Sequence, residues 1–246
     1  MFTAFPADFT WIHAIAIGVV FGQWFAYTPV LRIVARGSLN EQLSVVRAQW
    51  LVASINRGQK PFDAILLGHM VNSIAFFGSA TMLVLAGMAT LFASARSGYG
   101  ALSALYTETP PSFEVFVLQL LVLNITLAIS FFSFTYALRK LIYVLALVGG
   151  LPETTTSDAQ IAARDVMVHE ASVVLSEALK TFNFGIRGYY YFVSALGLFV
   201  SPYLCIALSI FMTAILVHRQ VGSATSRAIQ SYVDASGAYN SDKPDG

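Results

Sequence analysis

Apolar residues run along this chain in long uninterrupted stretches, and the charges gather between them. No charged residue falls between Asp8 and Arg32, between Asp63 and Arg96, between Glu114 and Arg139, or between Arg187 and Arg219. Crossing about 30 Å of hydrocarbon takes about 20 mostly apolar residues, so each stretch is long enough. The pattern predicts an all-α integral membrane protein with four transmembrane helices, over residues 10–31, 64–95, 115–138 and 188–217. They form one domain, residues 1–222, followed by a polar tail, 223–246, expected to fray past Ala235. The second and fourth stretches exceed what the bilayer needs, which predicts tilt or extension beyond it.

Between the spans the period changes. Leu43, Val46, Trp50 and Ala53 recur at helical spacing, predicting an amphipathic helix over residues 39–56 whose Trp50 suits a membrane interface. Ile161, Val168, Leu175 and Phe182 repeat every seven residues among Asp158, Asp165, Glu170, Glu177 and Lys180, predicting a second amphipathic helix over 158–184 that leads into the fourth span. Leu141 to Leu151 is too short to cross alone; it continues the third helix or lies at the interface until Gly149, Gly150 and Pro152 stop it. Residues 97–114 read as a linker, with Ser112 as N-cap of the third span.

Composition agrees with embedding in a lipid bilayer. The 246 residues are 57% hydrophobic and 11% charged, where a soluble domain has about a quarter charged. A net charge of +1 leaves no basic cluster of the kind that binds nucleic acid. Cys205 is the only cysteine, which excludes an intramolecular disulfide and a cysteine metal cage. MFTAFPADFT has no Lys or Arg, unlike a signal-peptide n-region, so the first span reads as a permanent anchor. The first loop carries Arg32, Arg36, Arg47, Arg57 and Lys60, and the third Arg139, Lys140, Arg164, Lys180 and Arg187. The N-terminal tail has none, the second loop only Arg96, and the C-terminal tail Arg219, Arg227 and Lys243. By the positive-inside rule loops one and three face the cytoplasm, placing the chain in a bacterial inner membrane with both termini outside the cytoplasm.

Candidate chemistry is sparse. Ala14, Gly18, Gly22 and Ala26 make a small-residue stripe at four-residue spacing, a helix-packing face for another span or for a neighbouring copy. The spans contain no Asp or Glu, which argues against a carboxylate-driven proton carrier. His13, Gln23, His69, Asn72, Gln119 and Asn124 enter them as polar groups, either lining a cavity or clamping helices together. Under this topology His13 and His218 share one depth and His69 and His169 the other, which is permissive for haem b but not specific. No metal site is predicted: His169-Glu170 falls short of a zinc-protease motif because position 173 is Val173. No nucleophile elbow or phosphate loop occurs, and no enzyme is expected.

The most unusual stretch is TFNFGIRGYYYFVSALGLFVSP, Thr181 to Pro202. Arg187 sits where the second amphipathic helix becomes a span, so its guanidinium is expected to snorkel to the headgroups. Tyr189, Tyr190 and Tyr191 would form an aromatic belt. Gly185 and Gly188 would permit a bend or a close helix contact.

Several residues carry a family likeness: Arg47 and Trp50 before the second span, Asn72 followed by Gly78-Ser79-Ala80-Thr81, and Phe182, Gly185, Arg187, Tyr190 and Pro202 leading into the last. In these the chain resembles the multi-pass bacterial and plant family catalogued as domain of unknown function 599, from about Arg47 to Arg219. It departs from that pattern at Val71, where the family has an arginine before the asparagine. The resemblance implies a membrane fold of this size and no particular activity.

Two functional readings stand side by side. One is a structural or accessory membrane protein that associates with itself or with another membrane subunit, with Arg187, Asn183, Asn72, His69 and Trp50 as polar anchors. The other is a channel or carrier for a small solute or ion, with His69, Asn72 and Asn124 along its path and Arg187 at the cytoplasmic mouth. A haem-binding subunit is a third.

Overall fold

The computed structural model describes residues 6, 8–34, 38–55, 57, 60–104, 110–152 and 156–241. All regular structure among them is helical: α1 Trp11–Val34, α2 Leu39–Ile55, α3 Lys60–Ala93, α4 Ala95–Ser103, α5 Phe113–Gly149, α6 Asp158–Leu196, α7 Pro202–Val221 and α8 Ala224–Ser241. Four helical stretches are long and apolar enough to cross a membrane: Trp11–Ile33, Phe62–Ala93, Phe113–Gly149 and the stretch opening at Pro202. The chain is a multi-pass membrane protein. The run from Leu141 simply continues α5 to Gly149, and α4 occupies the start of the expected linker.

Helix starts follow local capping chemistry. At the start of α1 His13 reaches back to Thr10: Thr10 N donates to His13 Nδ1 at 3.3 Å, and the Thr10 hydroxyl lies 2.8 Å from the same nitrogen. The histidine side chain thereby satisfies the Thr10 N–H, the half of a capping box that Glu or Gln ordinarily supplies. Ser112 caps α5 as expected, its Oγ accepting from Val115 N. Ser157 and Ser223 cap α6 and α8 in the same way.

The fourth expected span, residues 188–217, is not one helix. α6 stops at Leu196, a 3-10 turn covers Gly197–Phe199, and α7 begins at Pro202. Proline lacks the N–H that would bond the carbonyl four residues back, and its ring crowds that carbonyl. The orphaned group is Leu198 C=O, and the Gln119 side chain supplies the missing donor at 2.9 Å. α7 then folds back on α6. A Cβ on Gly197 would stand 3.0 Å from the Cys205 backbone, and Tyr191 OH lies 2.9 Å from Thr213 Oγ1. Cys205 is fully buried at this close approach.

The chain forms two compact units. The first comprises Met1–Thr28, Phe77–Ser133 and Phe184–Ala214, and the second Pro29–Phe76, Phe134–Asn183 and Ile215–Gly246. The chain passes between them inside α1, α3, α5, α6 and α7. Trp24, Leu120, Leu127 and Tyr191 are buried in the first, and Leu51, Phe134, Leu141 and Leu175 in the second. The heptad of α6 holds for Val168 and Leu175, while Ile161 is exposed.

The tail departs from expectation. It is helical to Ser241 and packs on α2. Gln42 Nε2 donates to Gln230 Oε1 at 2.6 Å and Gln49 Nε2 to Ser236 Oγ at 3.0 Å. α8 therefore lies against the helix of the first loop.

Candidate functional site

Among the described residues each unit buries one charged side chain. In the first unit it is Arg187, 8% exposed. Its Nη2 donates to Thr28 Oγ1 at 2.9 Å, and its guanidinium carbon lies 4.8 Å from the Tyr27 ring centroid and 5.8 Å from that of Phe184. Nε has no hydrogen-bond partner, and no carboxylate pairs with the side chain among the described residues. Guanidinium over aromatic faces is attracted by the ring quadrupole, and more strongly when both are dry. The arginine therefore does not snorkel; it is enclosed by protein.

The helix around it is locked on three sides. A Cβ on Gly188 would overlap Ser130 Oγ and stand 2.6 Å from Trp24 Cζ2, so only glycine lets α1 and α5 come this close. Trp24, fully buried, donates through Nε1 to Phe184 O at 3.1 Å. Tyr189 and Tyr191, expected in an interfacial belt, instead bond to other helices. Tyr191 is fully buried and bonded to Thr213, which donates to Gln23 Oε1 at 2.8 Å. Tyr189 OH meets Thr81 Oγ1 and donates to Phe77 O. Period 3.6 turns consecutive tyrosines to different neighbours, and these neighbours are helices.

In the second unit the buried charge is Asp63, 6% exposed, in the first turn of α3. Trp50 Nε1 donates to its Oδ1 at 2.8 Å and Arg57 Nη1 to the same oxygen at 3.3 Å. Trp50 thus acts as a clamp between α2 and α3. Asp63 lines a cleft of about 320 Å³ with Ile55, Leu67, Leu145, Val148 and Leu151. Sequence reasoning missed Asp63, since it flanks the second apolar run and looked like a boundary; an acidic residue three positions after Lys60 in a first helical turn was the available signal. Nearby, Arg47 Nε donates to Ser176 Oγ at 3.2 Å, and burial pushes the guanidinium below its ordinary value.

The remaining candidates are scattered. Asn183 Nδ2 donates to Asn40 Oδ1 at 3.3 Å. Asn124 turns to the Leu120 carbonyl of its own helix. His69 and Asn72 are exposed on α3, with no hydrogen-bond partner among the described residues. Ala14, Gly18, Gly22 and Ala26 are exposed too, and nothing lies within 4 Å of a Cβ built on either glycine. The buried stripe of α1 is instead Ala16, Val20, Trp24, Tyr27 and Leu31. His13 is engaged in its cap, His69, His169 and His218 are exposed, and among the described residues no three His, Cys, Asp or Glu side chains cluster as metal ligands.

No curated protein and no solved structure matches the chain. A family model described as "Protein of unknown function, DUF599" matches residues 15–225, a span that includes both buried charges, the glycine contact at 188 and the break before Pro202. The chain belongs to the DUF599 family of membrane proteins of unknown function.

Proposed function

We propose that this protein is a structural or accessory subunit that works as an oligomer in the membrane. The observation that carries the reading is the bare polar face of α3. His69, Asn72 and Ser73 are exposed on an otherwise apolar helix, and polar side chains at such positions ordinarily face protein rather than lipid. A hydrogen bond from a second chain would satisfy them, at about 0.6 kcal/mol each. The exposed stripe on α1 supplies a surface on which a second helix can approach closely. A channel or carrier would need His69, Asn72 and Asn124 to face one lumen, and Asn124 is already turned to its own backbone.

The orientation belongs to the same reading. With α6 as a fifth crossing, the N-terminus lies outside and the C-terminus inside the cytoplasm. All 14 Lys and Arg except Arg96 and the buried Arg187 then fall on the cytoplasmic side, which satisfies the positive-inside rule better than four crossings do. We place the protein in a bacterial inner membrane in this orientation.

Mass measurement in mild detergent tests the assembly. The expected particle is a multiple of the 26.7 kDa chain or a complex with another membrane subunit, shifted toward monomer by Asn72→Leu or Gly18→Leu. A wild-type monomer overturns the reading.

A further inference from the structure

The cleft of the second unit has features that the oligomer reading does not use. We propose that it binds a hydrophobic ammonium compound, a protonated amine on a compact apolar body, with Asp63 Oδ2 as the anchor.

The walls set the body of the ligand. Ile55, Leu67, Leu145, Val148 and Leu151 are apolar, and about 320 Å³ suits a small molecule. The polar groups set its head. Asp63 is 6% exposed; both of its donors among the described residues, Trp50 Nε1 and Arg57 Nη1, go to Oδ1, and Oδ2 is buried with no partner among the described residues. Buried polar atoms are ordinarily bonded, and a carboxylate oxygen can only accept. Ser54 lines the same cleft, and its hydroxyl proton is already given to Leu51 O at 2.7 Å. It too offers only lone pairs. The lining near Gly149 is the C-terminal end of α5, the negative end of the helix dipole.

Acceptors and a negative helix end favour a group with donors and no acceptor, which describes an ammonium. An anion would meet Asp63 and the α5 end head on. A neutral alcohol could reach Oδ2, but a charge-assisted bond is about twice as strong. Arg57 does not cancel the attraction, because its side chain is 40% exposed and solvated, and it touches only Oδ1.

The test uses the full-length chain in nanodiscs, with empty nanodiscs subtracted to remove partition into lipid. Calorimetric titration with 1-aminoadamantane is expected to saturate at one per chain, and 1-adamantanol to bind at least tenfold more weakly. Asp63→Asn should weaken the amine at least tenfold. Ala64→Phe, which fills the cleft and leaves Asp63 in place, should abolish binding, so the proposal stays testable even where Asp63→Asn fails to fold. Equal binding of amine and alcohol, undiminished binding by Ala64→Phe, or absence of saturation because a lipid chain fills the cleft would each overturn it.

Discussion

The first unit buries a cation with no carboxylate beside it among the described residues, whereas the second buries a carboxylate that has a cation beside it. Arg187 is held by ring faces and one hydroxyl; Asp63 is held by an indole N–H and an arginine. The two solutions differ in what they leave behind when broken. Removing Asp63 strands two donors, one of them charged. Removing Arg187 strands only the Thr28 hydroxyl, which can turn to a helix carbonyl. Packing differs in parallel: around Arg187 the fit is so close that one glycine decides it, while the glycine beside the Asp63 cleft, Gly149, has nothing within 4 Å of a built Cβ.

The largest effect should come from that packing contrast. Gly188→Ala forces Trp24 and Ser130 apart and is expected to cost about 3 kcal/mol, seen as a clear drop in melting temperature in detergent. Gly149→Ala should stay within about 0.5 kcal/mol. Equal effects would erase the distinction between a tight unit and an open one.

The charges come next. Asp63→Leu is expected to destabilise by about 2 kcal/mol, because Trp50 Nε1 loses its acceptor and Arg57 its partner. Arg187→Met, of similar volume, should change stability by less than about 1 kcal/mol in either direction, since a hydrophobic replacement of a buried ion is often neutral. Chemical denaturation of both variants checks the pair, and a large loss in Arg187→Met would mean that an anion absent from this chain completes the site. Gln119→Leu follows at about 1 to 2 kcal/mol, from a Leu198 carbonyl left buried without a donor.

The smallest difference concerns pH and salt. Burial pushes the Asp8 carboxyl up, but the Ser112 hydroxyl and amide, its own amide and His13 outweigh that and hold it below the ordinary value. Glu177 is also held low, by its bond to Lys180 and then, against the opposing effect of burial, by Lys140 and Arg32. Both groups are depressed in the folded state, so each contributes stability above about pH 4 that is lost as pH falls through the folded value. High salt should screen the lysine and arginine contributions at Glu177 and spare the hydrogen bonds at Asp8. Acid titration of stability at low and high salt, with Ser112→Ala and Lys180→Ala as controls, separates them.

Much of this was legible in the chain. Apolar runs located α1, α3 and α5, the seven-residue repeat located α6, and Ser112 located a helix start. The structure divides the helix expected over 188–217, ending α6 at Leu196 and opening α7 at Pro202. A proline with a glycine five positions earlier marks a reversal only when something far away bonds the freed carbonyl, and Gln119 stands 79 positions from Leu198. The same limit hid the role of Arg187. Its neighbours in sequence suggested an interface, while its partners, Tyr27 and Thr28, come from α1. The stripe Ala14, Gly18, Gly22 and Ala26, expected as a packing face, is exposed on this chain, because the side chains that α1 buries are the larger Val20, Trp24, Tyr27 and Leu31 on its other side.

Because Cys205 is pressed against Gly197 at the α6–α7 reversal and is wholly enclosed, the natural protein carries no thiol within reach of an aqueous reagent. Any cysteine introduced by mutation would be the one group to react with a membrane-impermeant maleimide. The fold thereby comes ready for labelling from either face of intact cells, at Ser97 near the start of α4 and at Ser231 in α8, without first deleting a native residue. Opposite accessibility at those two positions would fix five crossings; matching accessibility would restore four.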